Sequence, residues 1–163
     1  MKKLLLFIAS IAIFMGANAQ TGTKSLMLKA GYQTDYKRFG LGVEGRYNIT
    51  DNIRLAPDVT FFLPKNHTTG LDINLNAHYV LDVQDGLSIY PLAGIGVINN
   101  RISSFDIGDG AKIKSFGSTD FGFNLGAGAS YDLSSNSYAN FEFKYTFQDV
   151  DCASIMVGYG VKF

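Results

Sequence analysis

Apolar and polar residues alternate with a period of two over eight separate stretches of this chain. At the C-terminal end Ala153, Ile155, Val157, Tyr159, Val161 and Phe163 alternate with Ser154, Met156, Gly158, Gly160 and Lys162. That period belongs to a β-strand, whose successive side chains point to opposite faces. The same pattern predicts strands over about 24–33, 38–49, 53–63, 71–82, 87–98, 119–133 and 138–147, with the eighth over about 152–163.

The two faces differ in kind. One is bulky and apolar in every segment, as in Phe121, Phe123 and Leu125 of the sixth and Phe141, Phe143 and Tyr145 of the seventh. The other is rich in Gly, Asn, Ser and Thr and carries a few charges: Lys29, Glu44, Arg46, Arg54, Asp58, Glu142 and Lys144. A small polar face of this type suits the interior of a narrow barrel, where side chains must interlock. Glycine leaves room there for long Lys and Arg side chains and permits strand curvature.

The connections alternate in length. Thr50-Asp51-Asn52, Val83-Gln84-Asp85-Gly86 and Ser134-Ser135-Asn136 read as tight turns. The others span Thr34–Lys37, Pro64–Gly70, Asn99–about Ser118 and Gln148–Asp151, and two of these are clearly longer. The expected fold is all-β: an eight-stranded, antiparallel, up-and-down transmembrane β-barrel with both termini on the short-turn side. A soluble calyx also has eight strands but turns its apolar face inward around a ligand. Charged residues make up 17% of the chain, below the roughly 25–35% of soluble surfaces. The glycine-rich face would make a poor soluble exterior, so the pattern favours an apolar face turned to lipid.

The first residues read as an export signal. Lys2 and Lys3 precede the apolar run Leu4–Met15, and Ala17-Asn18-Ala19 forms a small-x-small cleavage site. The run is shorter than the roughly 20 residues that span a bilayer as a helix. The expected organisation is a cleaved signal peptide over residues 1–19 and a barrel over 20–163. Removing Lys2 and Lys3 takes the basic count from 14 to 12 against 14 acidic residues, a net charge of −2. No basic stripe exists, so nucleic acid is not an expected partner. Cys152 is the only cysteine, which excludes an intrachain disulfide.

With these features the chain resembles the small outer-membrane β-barrel family typified by OmpA and OmpX, which includes opacity-type porin barrel domains. The resemblance rests on the signal, the eight alternating segments and the ending Tyr159, Val161, Phe163. It also rests on Tyr90-Pro91-Leu92-Ala93-Gly94-Ile95-Gly96 and Phe123-Asn124-Leu125-Gly126-Ala127-Gly128-Ala129. It implies a Gram-negative outer-membrane location, outer-membrane lipid around the barrel and handling by the barrel-assembly machinery. In that family an aromatic C-terminus on an alternating strand is part of the assembly signal, which here falls on Tyr159, Val161 and Phe163. Trp is absent, so Tyr32, Tyr47, Tyr79, Tyr131, Tyr145 and Tyr159 would supply the aromatic girdle.

Candidate chemistry is sparse. Lys29, Glu44, Arg46, Arg54 and Asp58 lie on three consecutive predicted strands, and Glu142 and Lys144 on the seventh. Buried charges are costly unless paired and hydrogen-bonded, so this set is expected to form an ionic plug; a narrow channel is the alternative. His67 falls in a loop and His78 faces inward. A lipid-modifying enzyme would need His with Ser or an acid on the lipid face, so no catalytic residue and no cofactor is expected. Asp106 and Asp109 lack the further oxygen ligands of a dedicated calcium loop, and no metal is expected. Arg101, Phe105, Ile107 and Phe116 in the longest connection mark either a contact surface for an external ligand or a hairpin extending the flanking strands. The expected role is envelope integrity or surface contact.

Overall fold

The structure, a computed structural model, describes residues 22–65, 68–102, 105–108, 111–113 and 115–163. The predicted signal at 1–19, His67 and Asp109 lie outside the described residues. The strands are β1 (Lys24–Gln33), β2 (Arg38–Asn48), β3 (Ile53–Lys65), β4 (Thr68–Tyr79), β5 (Leu81–Gln84), β6 (Leu87–Ile102), β7 (Phe105–Gly108), β8 (Ala111–Ile113), β9 (Phe116–Asp132), β10 (Ser137–Phe147) and β11 (Cys152–Lys162).

Nine of these form one sheet, in which β4 and β5 are successive parts of one strand broken at Val80. Val80 N–H donates to Asn52 O at 2.6 Å, and Asn52 Nδ2 donates to Val80 O at 3.0 Å. These bonds carry the β3–β4 register, Ile53↔Tyr79, one residue further into the turn between β2 and β3. Counting β4 and β5 together gives a barrel of eight antiparallel strands, closed by β1 on β11 from Ser25↔Lys162 to Gln33↔Ser154.

Burial alternates along the strands. In β4, Asp72, Asn74, Asn76 and His78 are buried while Leu71, Ile73, Leu75 and Tyr79 are exposed. The outward face carries large apolar groups throughout, with Leu28 and Phe39 each 64% exposed. An apolar belt of this extent is a surface made for lipid rather than water. The proposed girdle is uneven: Tyr79, Tyr131 and Tyr159 are exposed, whereas Tyr32, Tyr47 and Tyr145 are half-buried.

Two connections differ from the sequence-based expectation. The 64–70 stretch is not a long loop: β3 runs to Lys65, β4 starts at Thr68, and Lys65 pairs with Thr68. Pro64 and Gly70 suggest a turn, but Phe62↔Gly70 and Thr68↔Ile102 supply ladder partners on both sides. The 99–118 stretch likewise shortens, and it does so as the hairpin extending the flanking strands, one of the two readings the sequence offered. β6 and β9 stay paired to Ile102↔Phe116, and β7 and β8 pair within the remainder.

Candidate functional site: the barrel interior

All seven charges singled out above are buried inside the barrel. Glu44 on β2 is the hub. Its Oε2 meets Lys29 Nζ at 3.0 Å and its Oε1 meets Arg46 Nε at 2.7 Å. Lys29 also reaches Asp58 Oδ1 at 3.1 Å. Asp58 accepts from Thr60 Oγ1, Asn74 Nδ2 and Asn76 Nδ2, each at 3.2 Å. Asn124 Nδ2 donates to both Asn74 and Asn76 at 2.9 Å, and Thr146 Oγ1 donates to Asn124 Oδ1 at 2.8 Å.

Arg46 extends the network across the lumen. It donates to Ser130 Oγ at 3.1 Å and, through Nη2, to Tyr90 Oη and Asn140 Oδ1 at 3.0 Å each. The Tyr90 hydroxyl stands 2.9 Å from Asn140 Oδ1 and 3.1 Å from Glu142 Oε2. Its single proton serves one of those acceptors at a time. One connected set of polar groups therefore joins β1, β2, β3, β4, β6, β9 and β10 through the centre. At this depth of burial each charge depends on its partners.

Three of the seven charges form none of these ion pairs: Glu142, met by the Tyr90 hydroxyl, Arg54 and Lys144. Arg54 Nε donates to Asn48 Oδ1 at 3.1 Å. Lys144 lies in the field of Asp72 and Glu142.

Sequence reasoning missed several interior residues. At the long-loop end Arg38 is 1% exposed. It donates to Gln33 Oε1 at 2.7 Å and Asn100 Oδ1 at 2.8 Å, and lies over the rings of Tyr36 and Phe62 at 4.5 and 4.8 Å. Gln33 Nε2 in turn donates to Cys152 Sγ at 3.1 Å. Tyr90 and Tyr138 also project inward, where a Cβ on Gly128 or Gly160 would overlap their phenol ends. Strand parity could have found both: Tyr90 lies between the outward Ile89 and Pro91, and Tyr138 one residue before Ala139, whose face holds Phe141.

His78 stacks on Tyr90 with ring centroids 4.4 Å apart. One ligating atom each from Glu44, His78 and Glu142 fall within 4.8 Å of one another. That donor set could hold a divalent metal, yet Lys29 and Arg46 already occupy both Glu44 oxygens. A dication would face two cations on one of its own ligands.

The remaining candidates lie outside the lumen. Tyr159, Val161 and Phe163 are outward and exposed on and just beyond β11. Arg101, the next to last residue of β6, is exposed, Phe116 opens β9 63% exposed, and Phe105 and Ile107 lie in β7.

A model of the family described as "Outer membrane protein beta-barrel domain" matches residues 10–163. No curated protein matches the chain. Among solved structures, the N-terminal β-barrel domain of Pseudomonas aeruginosa OprF is similar with a TM-score of 0.67 at 17% identity, covering 88% of this chain and 98% of that one. Ail, the attachment invasion locus protein of Yersinia pestis, is similar with a TM-score of 0.60 at 18% identity, covering 88% and 100%. Neisserial surface protein A follows at 0.55 and 19%, covering 86% and 93%. Likeness at these identities shows the shared barrel.

Proposed function

We propose, for a chain that belongs to the outer membrane protein β-barrel domain family and is at home in the Gram-negative outer membrane, a non-enzymatic role as a closed membrane anchor for a surface-contact sheet. The observation that carries this reading is the connected network through Glu44, Arg46, Tyr90 and Asn140, which crosses the lumen from wall to wall. An ion crossing it would have to break several charge-assisted bonds at once.

The contact surface is the part of β6 and β9 that outruns the apolar belt. Val97 and Phe121 are its last large outward apolar pair, and Asn99, Arg101, Gly117 and Thr119 follow towards the loop. The β10 ladder on β9 stops at Phe147↔Phe123. Residues 116–121 of β9 thus present a strand edge, a template for an extended partner segment.

Purified protein is expected to give no stable conductance in planar bilayers. In a deletion strain, the wild-type gene is expected to restore cell-surface binding, whereas a version carrying Thr119→Pro on the edge is not. Reproducible ion-selective channels from the wild type would replace this reading with that of a narrow channel.

A further inference from the structure

The short-turn end of the lumen holds a cavity of about 230 Å³. Its wall includes Ser25, Arg46, Asn48, Arg54, Ser88 and Tyr138. Every lining residue is inward-facing or belongs to a turn or terminus, so the cavity opens along the barrel axis and not sideways to lipid. Outer-membrane barrels keep their short turns on the periplasmic side, so on the proposed function that opening faces the periplasm.

The buried charges of the described residues do not balance. Lys29, Arg38, Arg46, Arg54 and Lys144 are five cations against the four carboxylates Glu44, Asp58, Asp72 and Glu142. The excess settles at Arg54. Lys29 and Arg46 contact Glu44 directly, while Arg38 and Lys144 share the field of Asp72. Among the described residues no carboxylate pairs with Arg54, though it is only 8% exposed. Its guanidinium lies 5.5 Å from the Tyr90 ring centroid, beside that of Arg46 at 5.3 Å from the same ring. Nε is held by Asn48, and among the described residues no hydrogen-bond acceptor takes the two terminal nitrogens.

We propose that this cavity binds a carboxylate presented from the periplasmic side, with Arg54 as its anchor. A planar guanidinium fork matches two carboxylate oxygens, and burial strengthens the bonds. The single excess charge suits a monoanion. Asp51 and Asp82 also line the cavity and repel more highly charged groups, while Asp132 is neutralised by Lys162 at 2.6 Å. The Ser88 hydroxyl offers a further donor. The carboxylate could belong to a free small acid or to a peptide end.

The test uses the full barrel in non-ionic detergent, with arginine Nε–H resonances followed by NMR during titration with acetate, acetyl-dialanine and dimethyl phosphate. The Arg54 resonance is expected to shift saturably with acetate. Arg54→Gln should weaken acetate binding by at least about tenfold, the loss of one charge-assisted bidentate contact. Asp82→Asn, a change at an exposed position, should tighten it, and decides the matter even if Arg54→Gln does not fold. Tighter binding of acetyl-dialanine than acetate assigns a peptide end, and equal binding a free acid. An Arg54 resonance that never saturates, equal affinity for dimethyl phosphate, or unchanged acetate binding in Asp82→Asn would overturn the proposal.

Discussion

Glu44 and Arg46 stand two residues apart on β2 and meet inside the barrel, Oε1 to Nε, at 2.7 Å. Neighbours on one face of a strand normally splay apart. Here both are held by further contacts: Lys29 of the neighbouring β1 on Glu44, and Ser130, Tyr90 and Asn140 from across the lumen on Arg46. Glu44→Ala leaves two buried cations without their shared partner. The expected loss is about 3–5 kcal/mol, the usual cost of breaking a buried pair from one side. Arg46→Ala should cost about as much. Urea unfolding in lipid vesicles measures both, and a loss below about 1 kcal/mol would mean a wet interior that screens the pair.

The large interior side chains fit because glycines stand opposite them. A Cβ at Gly160 would fall within the Tyr138 ring, and one at Gly128 against the Tyr90 hydroxyl. Both rings are buried and hydrogen-bonded, Tyr138 to Ser25 at 2.9 Å. Gly160→Ala and Gly128→Ala should each destabilise the barrel by about 1–3 kcal/mol through overpacking. Gly45, where a Cβ would meet only Pro57 Cγ at 3.9 Å, is the control and should tolerate Ala.

The strands were legible because two faces of opposite polarity leave little freedom of register: a slip of one residue would turn Glu44 to lipid and Val43 inward. Polarity was also the source of the misses. Phe62, Tyr90 and Tyr138 are aromatic and do not stand out on a face read by its small and polar residues, although strand parity places all three inside. The contact of Arg38 with Asn100 is of another kind. It joins residues 62 apart in sequence and depends on how far each strand is staggered around the barrel, which no single segment records. The isolation of Arg54 likewise emerges only when all the buried charges are placed together.

The outward face of β11 predicts an insertion defect. Val157 is 55% exposed and lies between Ala30 of β1 and Phe141 of β10. Val157→Arg at mid-strand should cost roughly 2–4 kcal/mol in a bilayer, read as lower folding yield in vesicles. Gly158 is a poor comparison, because an added Cβ would meet Met27 Sδ at 2.7 Å and Leu28 O at 3.0 Å. Val157→Leu is the proper one and should fold like the wild type. Equal yields for the Arg and Leu variants would reject a lipid-facing Val157.

Phe163 combines two contributions that one pair of variants separates. Its N–H donates to Lys24 O at 2.9 Å, extending the β1–β11 closure, while its ring is 52% exposed on the outer face. The backbone bond contributes about 0.5–1.5 kcal/mol. The ring touches none of the interior and is the element assigned here to recognition by the assembly machinery. Phe163→Ala keeps the bond and removes the ring. It should refold in detergent with normal yield and a normal heat-modifiable gel shift, yet accumulate in the periplasm in cells. Deleting Phe163 should add a small loss of stability in vitro to the same cellular defect. Normal surface levels of Phe163→Ala in cells would separate this C-terminus from the assembly signal. Failure of the same variant to refold in detergent would instead make the ring part of the barrel's own stability.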